Sequence, residues 1–242
     1  MTPAAGRAPR SVPPGRALVW FGEAIRLWKR GALPFSVMAA LVIAASIGLG
    51  PVPFAGLLVS NVIAPLLVCG FFFGCLAADR GERVRFRQLF MVFAAPLPAQ
   101  AAVVAAAFVA TLVESAVAWW LAGVNLLVPG PDTSDLGPTT VIAIYVADVI
   151  FSLPFAFVPM AALFDGERPS AAFASSWQAF VLNARPLLGL GVYVFALVLA
   201  GIATMGAGLV LALPWIAAAQ YAAWKDIYGV GSSDRGAPRE VA

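Results

Sequence analysis

From Gly31 to Ala78 no side chain carries a charge. That run of 48 residues is more than twice the ~20 residues an α-helix needs to cross the hydrocarbon core of a bilayer. Backbone polar groups inside lipid must be satisfied internally, so the run forms helices or part of a closed barrel. A barrel needs short segments that alternate apolar with polar residues, whereas this run is apolar on every face and predicts two helices. The break falls at Gly48-Leu49-Gly50-Pro51-Val52-Pro53, where glycine and proline interrupt helical periodicity. A second pair runs from about Pro96 to Leu121 and from about Pro138 to Phe164, separated by Gly123 to Gly137 with its Pro129-Gly130-Pro131-Asp132. The third is Pro186 to Trp224, 39 uncharged residues with a turn predicted at Thr204-Met205-Gly206-Ala207-Gly208. The expected fold is therefore all-α: a polytopic membrane protein with six transmembrane helices arranged as three hairpins. With 62% apolar and 11% charged residues, against roughly 45–50% and about 25% in soluble domains, a water-soluble globule is excluded.

The fifteen basic residues set the expected orientation. Six precede the first span, four (Arg80, Arg83, Arg85, Arg87) lie between spans two and three, two between four and five, and three follow span six. All fall on one side, which the positive-inside rule assigns to the cytoplasm together with both termini. The opposite side carries Asp132 and Asp135 in its longest loop. Trp119 and Trp120 mark the expected outer interface, and Trp20, Trp28, Trp177 and Trp224 the inner one.

Each hairpin is preceded by a short amphipathic stretch, expected to lie in the cytoplasmic headgroup layer. In Arg16 to Arg30 the residues Leu18, Phe21, Ile25 and Trp28 gather opposite Arg16, Glu23, Arg26, Lys29 and Arg30. Val84 to Phe93 places Phe86, Leu89, Phe90 and Phe93 at helical spacing, and Ser170 to Arg185 does the same with Phe173, Trp177, Phe180 and Ala184. Spans two, four and six each close on an acid: Asp79, Asp165 and Asp226. These features predict three parallel copies of one unit, about residues 16–82, 83–167 and 168–229, within a single domain 16–229. Similar physics at each inner interface is the plainer account of the same residues. Residues 1–15, with Arg7 and Arg10 among Pro, Ala and Gly, and residues 230–242 are expected to be disordered tails.

The order Trp20-Phe21-Gly22-Glu23-Ala24-Ile25-Arg26-Leu27-Trp28, Asp79-Arg80-Gly81-Glu82, Asp165-Gly166-Glu167-Arg168 and Ala222-Ala223-Trp224-Lys225-Asp226-Ile227-Tyr228-Gly229 resembles uncharacterised six-span bacterial inner-membrane protein families. These are similar to the membrane domain attached to some glycerophosphodiester phosphodiesterases. The resemblance covers about residues 17 to 229 and implies a bacterial inner-membrane protein of unassigned role. The resemblance lies in the membrane domain alone, so it implies no phosphodiesterase activity.

Charges inside apolar spans are costly, which makes Glu114 and Asp148 the first functional candidates. Each lies roughly 26 Å from the expected inner interface at ~1.5 Å per residue, at matching depth on adjacent antiparallel helices. If both face the bundle they suit proton or cation handling; near the outer boundary they are ordinary solvated carboxylates. Asn61 is a third intramembrane polar candidate, as a ligand or as an interhelical hydrogen-bonding group. Pro65, Pro154, Pro159 and Pro214 either break helices to free backbone carbonyls or simply kink them. Gly70 and Gly74 have the spacing that lets helices approach closely, within the chain or between copies.

The candidate contacts for anionic lipid are Arg26, Lys29, Arg30, Arg80, Arg83, Arg85 and Arg87, although a basic collar also serves topology alone. Histidine is absent, and Cys69 and Cys75 sit six residues apart in one apolar run, so no metal site, catalytic constellation or cofactor is expected. The expected function is non-enzymatic: membrane organisation, or binding of lipids or membrane proteins, without a nucleic-acid partner. The alternative is a small transporter or channel using Glu114 and Asp148.

Overall fold

The computed structural model describes residues 7–49, 52, 54–129 and 131–230. Among them the secondary structure is entirely helical. The ordered elements are α1 (Arg16–Lys29), α2 (Ala32–Leu49) and α3 (Ala55–Asp79), then a 3-10 segment (Phe86–Ala94) and α4 (Leu97–Ala122). There follow α5 (Pro138–Leu163), α6 (Pro169–Leu182), α7 (Ala184–Ala203) and α8 (Leu209–Ile227). Five of these, α2, α3, α4, α5 and α7, are long and apolar enough to cross a membrane, which marks the chain as a multi-pass membrane protein.

The helix α8, read from sequence as a sixth span, is not among those five. Gln220, Tyr221, Lys225 and Asp226 make its second half more polar, and it is the hub of the fold, packed against α1, α2, α3 and α7. Its Ala217, Ala218, Ala219, Ala222 and Ala223 are buried, and these short side chains let its neighbours approach closely. Bulky partners fill the space around them: Trp224 and Tyr221 of α8 pack with Phe164, while Tyr228 meets Phe157 edge-on.

The predicted turns bracket the helices as expected, although Gly50, Pro51, Pro53 and Gly130 lie outside the described residues, as do residues 1–6 and 231–242 of the two tails. Helix α4 ends on Gly123 at φ 71°, whose amide donates to the Trp119 carbonyl at 2.9 Å; a left-handed residue lets the chain turn back onto the last helical carbonyls. Between α7 and α8 the Thr204 hydroxyl oxygen accepts from the Gly208 amide at 2.7 Å.

Gly70 and Gly74 of α3 act within the chain. A Cβ on Gly70 would lie 2.5 Å from the backbone of Leu89 in the 3-10 segment, and one on Gly74 would meet the Phe35 ring of α2 at 2.7 Å. Close packing by small residues thus seats two neighbours on one helix.

Three elements differ from the sequence reading. First, the second amphipathic stretch is a 3-10 helix rather than an α-helix; its backbone presses on Gly70, and Gln88 accepts from the Arg85 amide at 2.9 Å to hold its start. Second, α1 buries Ala17, Trp20, Ala24 and Leu27, while Leu18 of the predicted apolar face is 64% exposed. Trp20 and Trp224 therefore belong to the core and not to an interfacial belt. Third, where a disordered tail is expected, residues 7–15 run along the helical body. The Arg10 amide donates to the Ile227 carbonyl at 2.8 Å, and the buried Asn183 accepts from the Val12 amide at 2.8 Å and donates to the Arg10 carbonyl at 3.0 Å. A buried amide whose donor and acceptor both find backbone partners holds an otherwise featureless segment.

Candidate functional site

The three acids that close α3, α5 and α8 lie at one end of the molecule, and each meets a cation from a distant part of the chain. Lys225 Nζ is 2.5 Å from Asp79 Oδ2, and Arg7 is 3.4 Å from Asp165 Oδ1. Asp226 Oδ2 accepts from Arg16 Nε at 2.6 Å and from the Trp20 indole at 2.9 Å, with Arg10 3.4 Å from its other oxygen. Burial works against the Asp226 charge, but the Arg16 and Trp20 donors and the Arg10 charge outweigh it and hold the carboxyl below its ordinary range. Burial, aided by the charge of Asp165, pushes Glu167 the other way. The three acids sit close to glycines in the left-handed region, Gly81, Gly166 and Gly229. The amides that follow them, of Glu82, Glu167 and Val230, donate back to Ala77, Ala161 and Lys225.

Above this charged end, a cavity of about 550 Å³ opens between α3, α4, α5, α7 and α8. Glu114 of α4 and Asp148 of α5 both line it, so the structure brings together the two carboxylates singled out by sequence. Asn61 is not part of that lining. It lies in a π-helical turn, Val59–Ile63, inside α3 and donates to the Leu57 carbonyl at 3.0 Å; its neighbour Ser60 reaches the cavity instead. Ser152 and Gln220 also line it, and sequence reading passed over both. The signal was available in principle, since each is a polar residue inside an otherwise apolar run.

The cavity owes its shape to the break in α5. Pro154 and Pro159 cannot donate amide hydrogens, and the helix passes through a 3-10 turn at Leu153–Phe155. Neighbouring helices supply the missing partners. The buried Ser176 of α6 donates to the Pro154 carbonyl at 2.8 Å and accepts from the Phe157 amide at 3.1 Å, and Gln220 of α8 donates to the Ala156 carbonyl. Small side chains, among them Ala64, Ala106, Ala107 and Ala110, leave the remaining volume open.

The seven predicted lipid-contact residues, Arg26, Lys29, Arg30, Arg80, Arg83, Arg85 and Arg87, are all exposed. Arg26 pairs with Glu23 at 2.5 Å. Arg30 donates to the Ala78 carbonyl at 2.7 Å, where the end of α3 leaves acceptors free. Both cysteines are buried free thiols. Among the described residues no group of three or more Cys, Asp or Glu side chains is arranged to hold a metal ion.

Comparison with known protein families, curated proteins and solved structures finds no match for this chain.

Proposed function

We propose that this protein is a non-enzymatic integral membrane protein that binds lipid headgroups along one face of the membrane. The observation that carries this reading is shared by all three lateral segments. Each leaves large apolar side chains exposed on the side turned away from the protein, although α1 also buries Trp20 and Leu27. In α1 Ala17 and Ala24 are buried while Leu18 and Val19 are exposed. In the 3-10 segment Leu89 and Val92 are buried while Phe86, Phe90, Met91 and Phe93 are exposed. In α6 Ala172, Ser176 and Ala179 are buried while Trp177, Val181 and Leu182 are exposed. Exposed Arg83, Arg85 and Arg87 flank the exposed phenylalanines, and cations beside outward aromatic and aliphatic groups match the layer where acyl chains meet anionic headgroups.

In this reading the chain crosses a bacterial inner membrane six times as three hairpins, α8 being the sixth span, with both termini and the lateral segments in the cytoplasm. The recurrent Asp and left-handed Gly at the ends of α3, α5 and α8 support a threefold repeat, and the resemblance to six-span bacterial families belongs to the same proposal. Native mass spectrometry of the protein extracted in its own lipid tests the function. Retention of anionic lipids, reduced several-fold when Arg83, Arg85 and Arg87 are changed together to Gln, is expected. Equal retention by the parent and the triple variant overturns the headgroup assignment.

A second reading, a small transporter or channel, draws on Glu114 and Asp148 sharing one cavity. It requires proton or cation flux into liposomes that Glu114→Gln and Asp148→Asn abolish.

A further inference from the structure

The lining of the cavity between α3, α4, α5, α7 and α8 is chemically lopsided. Glu114, Asp148, Ser60 and Ser152 supply polar groups, whereas Cys69, Phe72, Val103, Pro159 and Leu190 make an apolar wall. No Lys or Arg is among the lining residues, and the ion pairs of the described residues leave Glu114 and Asp148 out. Asp79, Asp165 and Asp226 each have a cation from elsewhere in the chain. The counter-charge that the fold provides at its charged end is thus not provided here. Carboxylates in an apolar helix interior are expensive to keep without one.

Size and shape narrow the occupant. A volume of about 550 Å³ lies within the ~300–1,000 Å³ typical of small-ligand sites. At ~1.5 Å per residue the cavity extends from about 9 Å above Asp226, at Gln220, to about 26 Å above the start of α4, at Glu114. It is tall, acidic near its far end and apolar along much of its length. A bare cation would satisfy the carboxylates but leave the apolar wall without contacts. A phosphate headgroup would meet two carboxylates and no cation.

We propose that this cavity binds one single-chain amphiphile bearing a protonated amine, with the ammonium group between Glu114 and Asp148 and the alkyl chain along Cys69, Phe72 and Pro159. The site is separate from the arginine and phenylalanine surface assigned to headgroups, and either assignment can fail alone.

The test uses the full chain in phosphatidylcholine nanodiscs, with decylamine, decanol and butylamine as probes. Native mass spectrometry counts bound molecules, and the thermal unfolding midpoint is followed against probe concentration. Decylamine is expected to bind once per chain and to raise the midpoint saturably; decanol binds more weakly, and butylamine leaves the midpoint unchanged. Glu114→Gln and Asp148→Asn, made singly and together, preserve side-chain shape, and the double variant weakens decylamine at least ~tenfold, as expected for a lost charge partner worth about 1.4 kcal/mol. Ala110→Leu fills the cavity and removes binding of both long-chain probes. Decylamine binding no tighter than decanol in the parent overturns the proposal. So does undiminished decylamine binding in the folded double variant or in folded Ala110→Leu.

Discussion

The charged end of the molecule and the cavity above it both hold carboxylates among apolar helices, and they treat them in opposite ways. At the charged end Asp226 gathers Arg16, Arg10 and the Trp20 indole, and the cleft of about 350 Å³ that opens beside it is lined by cations, Arg10, Arg16 and Lys225, as well as by Glu23 and Asp226. In the cavity Glu114 and Asp148 face open volume with alanines behind them. The difference separates two uses of charge in a membrane protein. Matched by cations, it locks helices together; unmatched beside a cavity, it invites a ligand.

The sharpest way to break this comparison is to truncate a tryptophan at each end. Trp20 is 1% exposed and Trp120 is 83% exposed. Trp20→Ala is expected to cost about 3–5 kcal/mol, whereas Trp120→Ala stays within about 0.5 kcal/mol, both read from the unfolding midpoint in one detergent. Similar shifts for the two would show that Trp20 at the charged end contributes no more packing than an exposed tryptophan at the end of α4.

Next in size is Ser176→Ala, which removes the partner of the Phe157 amide and the Pro154 carbonyl. A loss of about 1–3 kcal/mol is expected, together with faster amide exchange at Phe157. Unchanged exchange there would show that the break in α5 does not depend on α6.

Asp226→Asn should also cost about 1–3 kcal/mol, because Arg16 and Trp20 lose a charged acceptor. The sign of its pH dependence follows from a carboxyl held below its ordinary range. Its stabilisation is complete above the usual carboxylate pKa of about 4 and is lost as pH falls through the depressed value. The parent should therefore lose this contribution on acidification, and the Asn variant should show a flatter acid limb. Parallel acid limbs would remove Asp226 from the account.

The smallest effect is expected in the cavity. Glu114→Gln with Asp148→Asn should leave stability unchanged or raise it by less than about 1 kcal/mol, since neutral groups relieve half-buried charges that have no ion-pair partner. A clear destabilisation would show that the pair has a structural partner and would bring the two regions closer together in kind.

Much of this architecture was legible in the chain. Long apolar runs announced α2, α3, α4, α5 and α7, because a helix hydrophobic on all sides is a local property of the run itself. Glu114 and Asp148 stood out for the same reason, as charges where none belong. The third and sixth predicted helices fared differently. Helix α4 matched its run, whereas α8 was apolar for only part of its length, and its role as hub depends on alanines whose small size carries no periodic signal. The outward turn of Leu18 and the inward turn of Trp20 escaped notice because a helical wheel reports two faces without saying which one meets protein. Residues 7–15 lacked any local signal of order.

The sequence by itself determined that the chain is helical and multi-pass, where most helices begin and end, and which acids are out of place. Only the tertiary structure decided that Arg16 meets Asp226 across 210 positions of chain, that Asn183 holds Val12, that Ser176 and Gln220 repair the break in α5, and that Glu114 and Asp148 share one cavity. Helix formation depends on neighbours within a turn or two, so it is written in periodicity. Pairing of charges and the placing of a void depend on groups that only packing brings together.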